Sequence, residues 1–238
     1  MLAVQRQLPK RKGQKLSSPA GAFSPIRPIE EVLARLSKEN TYANLRLAAF
    51  LAIRTVPILR SKCAWSIRRS SIKTETDLRG WKLLVFEYHG KAAAQLNLDV
   101  ESNYIEFLPE EVADRCPARL VLRLKEVIDN AQVNHDSLWT YLKDFNKTLA
   151  SNSLGPLVKK LLQEMGIIGH SGHSVRTMIS EWLELVEKIP GDEITLRNWI
   201  TKDRRPNTRL LHYRSRITHE NFSEILWKPK AIQSENFR

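Results

Sequence analysis

From Pro28 onward, apolar side chains recur with helical spacing. Ile29, Val32, Leu33 and Leu36 form one series, and Leu45, Leu47, Ala48, Leu51 and Ala52 form a second. Each predicts a helix. Pro57 interrupts the second series, because its ring cannot continue a helix, and predicts the start of a further short helix through Ile67. The pattern then changes. Trp81–Tyr88 (WKLLVFEY) is a compact apolar and aromatic run of the kind that forms a strand, and His89-Gly90 offers a turn. Gln95–Val100 and Tyr104–Leu108 supply further strand, which predicts a small antiparallel sheet of two or three strands.

After Pro117 the pattern reads as helix again. Ala118–Ile128 is amphipathic, Ser153–Met165 ends at the natural C-cap Gly166, and Ser174–Val186 carries Met178, Ile179, Trp182, Leu183 and Val186 at core spacing. Pro190-Gly191 breaks that run. Ile194–Trp199 is a short helix, Thr201–Asn207 a polar basic loop, Thr208–Ser215 a further segment, and Phe222–Trp227 a last helix. No internal repeat is present. The expected fold class is α+β, mostly helical, with a small antiparallel sheet inserted after the first helices. Residues 1–24 lack apolar periodicity and read as a basic tail, 25–228 as one domain, and 229–238 as a C-terminal tail.

Composition adds a partner class. The 238 residues are 42% hydrophobic and 27% charged, ordinary for a globular chain. The balance of 38 Lys+Arg against 26 Asp+Glu gives +12 and a pI near 9.8. Such an excess favours a polyanion, nucleic acid first, over the plainer alternative of a solubilising surface. The apolar stretch around Leu45–Ile58 is broken by Arg46 and Arg54 and falls short of a membrane span, and no signal-peptide core is present at the N-terminus. Cys63 and Cys116 provide neither a disulfide framework nor zinc-ligand spacing, and His170 and His173 have no ligand partners at the usual intervals. No metal, cofactor, membrane or small-molecule substrate is expected. The cluster Lys10, Arg11, Lys12 and Lys15 reads as a nuclear import signal, as a nonspecific arm on DNA, or as a charged terminus with no role. The expected location is intracellular, nuclear in a eukaryote and otherwise cytoplasmic.

Candidate chemistry centres on His173-Ser174-Val175-Arg176 and on Tyr213. Histidine and arginine three residues apart share a helix face. With a tyrosine brought to that face, a basic chain has cations to hold a phosphate, a proton carrier and a phenol to attack it.

Four stretches in this order resemble the catalytic domain of tyrosine recombinases, the lambda-integrase-like family. The segment from Leu59-Arg60-Ser61-Lys62 through Arg68-Arg69-Ser70-Ser71-Ile72 resembles the family's first-arginine motif. Tyr88-His89-Gly90-Lys91 resembles its hairpin lysine, and His173-Ser174-Val175-Arg176 its His-x-x-Arg helix start. Ile194–Tyr213 resembles its Gly-His (or Trp) box and nucleophile, with Trp199 at the aromatic position. Arg115-Cys116-Pro117 is similar to a Cys-Pro found in recombinases of Crypton and DIRS-type mobile elements. The resemblance spans roughly residues 28–225.

This resemblance implies a catalytic set of Arg60, Lys91, His173, Arg176, Trp199 and Tyr213, with Lys82 the alternative lysine. It implies double-stranded DNA as partner, self-association on DNA, and strand cleavage and rejoining through a 3′-phosphotyrosine. Three departures stand against it. Cys63 occupies a place usually acidic, the Trp199–Tyr213 interval is a few residues long, and the catalytic-like region begins with no N-terminal core-binding domain ahead of it. The first and the third favour the alternative of a noncatalytic DNA-binding protein that kept the fold, derived from a mobile element. A basic helical module with an unrelated partner is a third reading.

Overall fold

A computed structural model describes residues 41–90 and 100–164 (apart from 152), together with 32, 35, 36, 179, 183, 184, 187–189 and 222–227. Helix α1 spans Tyr42–Thr55, capped where the Thr41 side chain accepts from the Asn44 N–H at 3.3 Å. It ends just ahead of Pro57: Val56 keeps right-handed helical backbone and its N–H still donates to the Ala52 carbonyl at 3.1 Å, but the proline has no N–H to continue the series. A short helix, α2 (Ser61–Trp65), and a 3₁₀ turn at Arg69–Ser71 lead into a three-stranded sheet. Its strands β1 (Lys73–Thr76), β2 (Lys82–Tyr88) and β3 (Glu101–Glu106) lie in chain order and pair antiparallel. Helix α3 (Pro117–Asn130) begins with proline at its first turn, followed by α4 (Leu154–Glu164) and α5 (Phe222–Trp227). The described residues are thus α+β, as the patterning predicts.

Four details differ from the patterning. The segment after Pro57 is a turn rather than a helix start, because Ile58 takes a left-handed φ of 53°. Strand β1 (KTET) has no apolar residue and was invisible to a hydrophobic pattern; it pairs Lys73–Thr76 with Val85–Lys82 at the sheet edge. Strand β3 begins at the polar Glu101 rather than at Tyr104, while residues 95–99 lie outside the described set. And 131–150, inside a region read as helical, is a loop.

That loop is rich in Asn, Asp, Ser and Thr, whose side chains compete for local backbone groups. The Asn146 and Trp139 N–H groups donate to Asp144 and Ser137 side chains at 3.1 Å each. Between these turns it delivers Leu138 and Trp139, both fully buried. The Trp139 ring stacks on Trp65 at 5.6 Å and meets Phe50 edge-on at 5.4 Å, and its indole N–H donates to the Ala64 carbonyl at 2.9 Å. Opposite-facing residues of the sheet divide the packing. Leu84, Phe86, Tyr88 and Ile105 enter the main core with α1 and α3, whereas Leu83, Val85 and Tyr104 form a second cluster under Trp81. Phe222 and Leu226 of α5 also enter the main core, and the Ser223 hydroxyl donates to Glu106 at 3.2 Å.

The β1–β2 turn is organised by Asp77. One carboxylate oxygen accepts the Arg79 and Trp81 N–H groups at 2.9 and 3.0 Å, and the other takes the Arg79 guanidinium at 2.7–2.8 Å. Arg79 in turn lies 3.6 Å over the Trp81 ring. Burial pushes the Asp77 pKa up, but the hydrogen bonds from Arg79 and Trp81 and the Arg79 charge outweigh it and hold the group below the usual carboxylate value.

Trp139→Ala is expected to cost about 3–5 kcal/mol in urea unfolding, the range for large core aromatics. Trp139→Phe, which keeps a ring but leaves the Ala64 carbonyl without its indole donor, should cost roughly 1–3 kcal/mol. For Asp77, a depressed folded pKa means stability that is present above the unfolded value of about 3.9 and lost as pH falls through the folded value. Wild type and Asp77→Asn should therefore differ in urea midpoint at pH 7 and converge as the pH is taken below about 3.9. A gap that persists in strong acid would contradict this.

Candidate functional site

Arg60 is the one residue of the expected catalytic set that falls among the described residues. Lys91, His173, Arg176, Trp199 and Tyr213 lie outside them. Arg60 is the N-cap of α2, with extended backbone (φ −68°, ψ 151°) and a half-buried side chain. Its position is built from beneath. The buried guanidinium of Arg54, on the last turn of α1, donates from Nε to the Leu59 carbonyl at 3.0 Å and from Nη1 to the Ser61 hydroxyl at 2.5 Å. These partners flank Arg60 on either side. The Arg54 guanidinium also sits 5.7 Å over the Phe50 ring.

A β-branched residue with positive φ, such as Ile58, costs roughly 1–2 kcal/mol and persists only where its surroundings over-determine it. Here they do: Ile58 is fully buried, and Arg54 holds the next carbonyl along the chain.

The C-terminal end of α2 is tied to the end of β2. The Ser66 hydroxyl donates to the His89 carbonyl at 3.1 Å and accepts the His89 N–H at 2.8 Å, and Arg68 Nη2 lies 3.2 Å from His89 Nε2. The two elements that carry Arg60 and lead to Lys91 are therefore joined by side-chain and backbone hydrogen bonds. Lys82, the alternative lysine, stands at the opposite end of β2, six strand residues and about 20 Å from this junction. Its ammonium lies 4.9 Å from the Phe107 ring centre. It is remote from the Arg60 corner.

Charge distinguishes this corner from the rest of the described surface. Asn40 through Thr74 contains Arg46, Arg54, Arg60, Lys62, Arg68, Arg69 and Lys73 and no Asp or Glu. Arg46 and Arg54 are buried; Arg69 pairs with Asp129, and Lys73 with Glu75. Arg60, Lys62 and Arg68 have no carboxylate within ion-pair distance among the described residues. Guanidinium groups left without carboxylates in an acid-free stretch are suited to phosphate oxygens.

Cys63 is buried in the apolar core on α2, so a carboxylate there would be desolvated rather than presented to Arg60. Cys116 is also buried, and its Sγ accepts the Leu108 N–H at 3.2 Å, which gives the Cys-Pro pair a structural role at the start of α3. Among the described residues no group of three His, Cys, Asp or Glu side chains gathers as a metal site, and no helix is long and apolar enough to cross a membrane. Sequence reasoning passed over Arg54, Ser66 and His89. The acid-free stretch was the signal for this corner, but only geometry separates the supporting Arg54 from the presented Arg60.

No protein-family model matches the chain, and no curated protein does. Among solved structures it is similar to XerH, a site-specific recombinase bound to its palindromic difH substrate in a post-cleavage complex. The TM-score is 0.44 at 16% identity, over 66% of this chain and 40% of that one. The chain thus spans well under two thirds of that recombinase's length.

Gly90, next to the expected hairpin lysine, is required by a close approach. A Cβ there would collide with the Glu101 carboxylate, whose Oε2 lies 2.7 Å from that point and accepts the Tyr88 hydroxyl at 2.9 Å. Gly90→Ala should destabilise by about 1–3 kcal/mol, the usual overpacking cost. In the Glu101→Ala background the same change should cost measurably less, giving a coupling of roughly 0.5–3 kcal/mol in a double-mutant cycle. Additive losses would remove Glu101 as the cause.

Proposed function

We propose that the chain binds double-stranded DNA and cleaves and rejoins its strands through a covalent 3′-phosphotyrosine. Arg60 carries this reading. It is a guanidinium with no carboxylate partner among the described residues, held at a helix N-cap by a buried arginine beneath it, in an acid-free cationic stretch, and it heads a motif order that continues through Lys91, His173, Arg176, Trp199 and Tyr213.

In this scheme the Tyr213 phenol oxygen attacks the scissile phosphorus and the P–O5′ bond breaks. The phenol proton passes to His173, and Lys91 protonates the departing 5′-oxygen. The bond energy stays in the phosphotyrosine, so a 5′-hydroxyl can reverse the step and rejoin. A phenol with pKa near 10 is a weak nucleophile at neutral pH. Arg60 and Arg176 compensate with planar donors to the non-bridging oxygens, where charge develops. Trp199 packs on the site and donates through its indole N–H. Copies of the chain associate on the DNA.

A second reading, a noncatalytic DNA-binding protein of the same fold, has one observation in its favour: among the described residues no carboxylate supports Arg60, and α2 carries the core thiol Cys63 instead.

A nicked suicide duplex separates the two. Wild type should form an SDS-resistant protein–DNA adduct, Tyr213→Phe none, and Arg60→Ala at least roughly 100-fold less, as for loss of one oxyanion donor. Binding without adduct in wild type would leave only the noncatalytic reading.

A further inference from the structure

Arg68 belongs to the first-arginine segment but has no part in the chemistry above. Its backbone is fixed on two sides: its N–H donates to the Glu87 carbonyl at 3.3 Å, and it forms an antiparallel bridge with Ser137. Its side chain is exposed, with Nη2 3.2 Å from His89 Nε2. A guanidinium has only N–H donors, so in this pair the His89 nitrogen is the acceptor and carries no proton. Among the described residues Arg68 has no carboxylate partner, in contrast to its neighbour Arg69, which pairs with Asp129 and donates to the His135 carbonyl at 2.8 Å. The two adjacent arginines are thus divided: Arg69 ties the 3₁₀ turn to α3 and the 131–150 loop, and Arg68 is held outward by an imidazole acceptor.

We propose that Arg68, positioned by His89, is a second phosphate-binding station on the DNA backbone, separate from the phosphate that Arg60 would hold. This rests on the reading that the chain binds duplex DNA. Arg60 and Ser66 bracket α2, about 9 Å of helical rise apart, and Ser66 fixes the His89 backbone beside Arg68. That separation exceeds the axial rise of about 3.4 Å between successive phosphates of one strand, so the two arginines would meet different phosphates. A phosphate oxygen is a stronger acceptor for guanidinium than an imidazole nitrogen, so Arg68 can exchange His89 for the backbone without breaking an ion pair to any described residue. The station reads no base. It adds affinity and fixes where Arg60 falls along the strand.

Binding of the full chain to a random-sequence duplex, followed across a series of KCl concentrations, tests this. Each phosphate contact adds about 0.9 to the magnitude of the log–log salt slope. Arg68→Ala should therefore lower that magnitude by about 0.9 and weaken binding about eightfold at 0.1 M salt. Arg68→Lys should restore the slope, a rescue that a purely structural role would not produce. Arg68→Gln substitutes if the alanine variant does not fold. Arg79→Ala, at the far end of β2 and already paired with Asp77, should leave the slope unchanged. Wild-type binding with an unaltered slope in Arg68→Ala overturns the station alone, as does an equal loss in Arg79→Ala. Absence of wild-type binding even at about 50 mM salt, where phosphate contacts are strongest, overturns the DNA reading itself.

Discussion

The arrangement around Arg60 depends on a cation that has been taken out of water. Arg54 is buried on the last turn of α1, and a buried charge is tolerable only when its donors are satisfied. Its partners are the carbonyl and hydroxyl on either side of Arg60, and its flat face lies on Phe50. Satisfying Arg54 therefore dictates the path of residues 56–61, including the left-handed backbone of Ile58. Phe50 carries the same constraint outward, since Trp65 and Trp139 pack against its ring. Helix, turn and distant loop thus meet at one aromatic ring beneath one guanidinium.

The remaining support comes from segments that look unremarkable in isolation. The apolar residues of the 131–150 loop follow no regular period, yet it inserts Trp139 against α2 and is held to the 3₁₀ turn by Arg69 and by Asp136, which accepts the Ser70 N–H at 2.7 Å and its hydroxyl at 2.6 Å. α2 has five residues and would not persist alone, because nucleating so short a helix is unfavourable. Its order comes from the Trp139 indole bond at one carbonyl, Arg54 at its start and Ser66–His89 at its end.

This explains what the sequence could and could not show. Helices α1 and α3 and strand β2 were legible because their apolar residues repeat with a clear period or form a dense run. β1 was not, because an edge strand of Lys, Thr and Glu buries nothing that a hydrophobic pattern detects. The turn after Pro57 was misread because proline opens helices more often than it leads into a left-handed isoleucine, and the tertiary contact that enforces it comes from Arg54. Arg60 was legible as a candidate from motif order, whereas its support by Arg54 and the link from Ser66 to His89 are contacts between side chains and distant backbone that no local spacing encodes. Lys82 stands at the other end of β2 from the Ser66–His89 tie, while Lys91 lies outside the described residues.

The frame that fixes Arg60 is made of a guanidinium, a hydroxyl, backbone carbonyls and aromatic rings. None of these changes protonation across the physiological range, since arginine stays charged there and the others do not titrate. The bonds that hold residues 59–61 are therefore insensitive to pH in that range, whereas the contact of Arg68 with the His89 imidazole, beyond the other end of α2, is not of that kind. A pH dependence in what happens to a phosphate at this corner would thus come from groups that exchange protons with it or from the imidazole contacts around it, and not from the bonds that hold Arg60 itself.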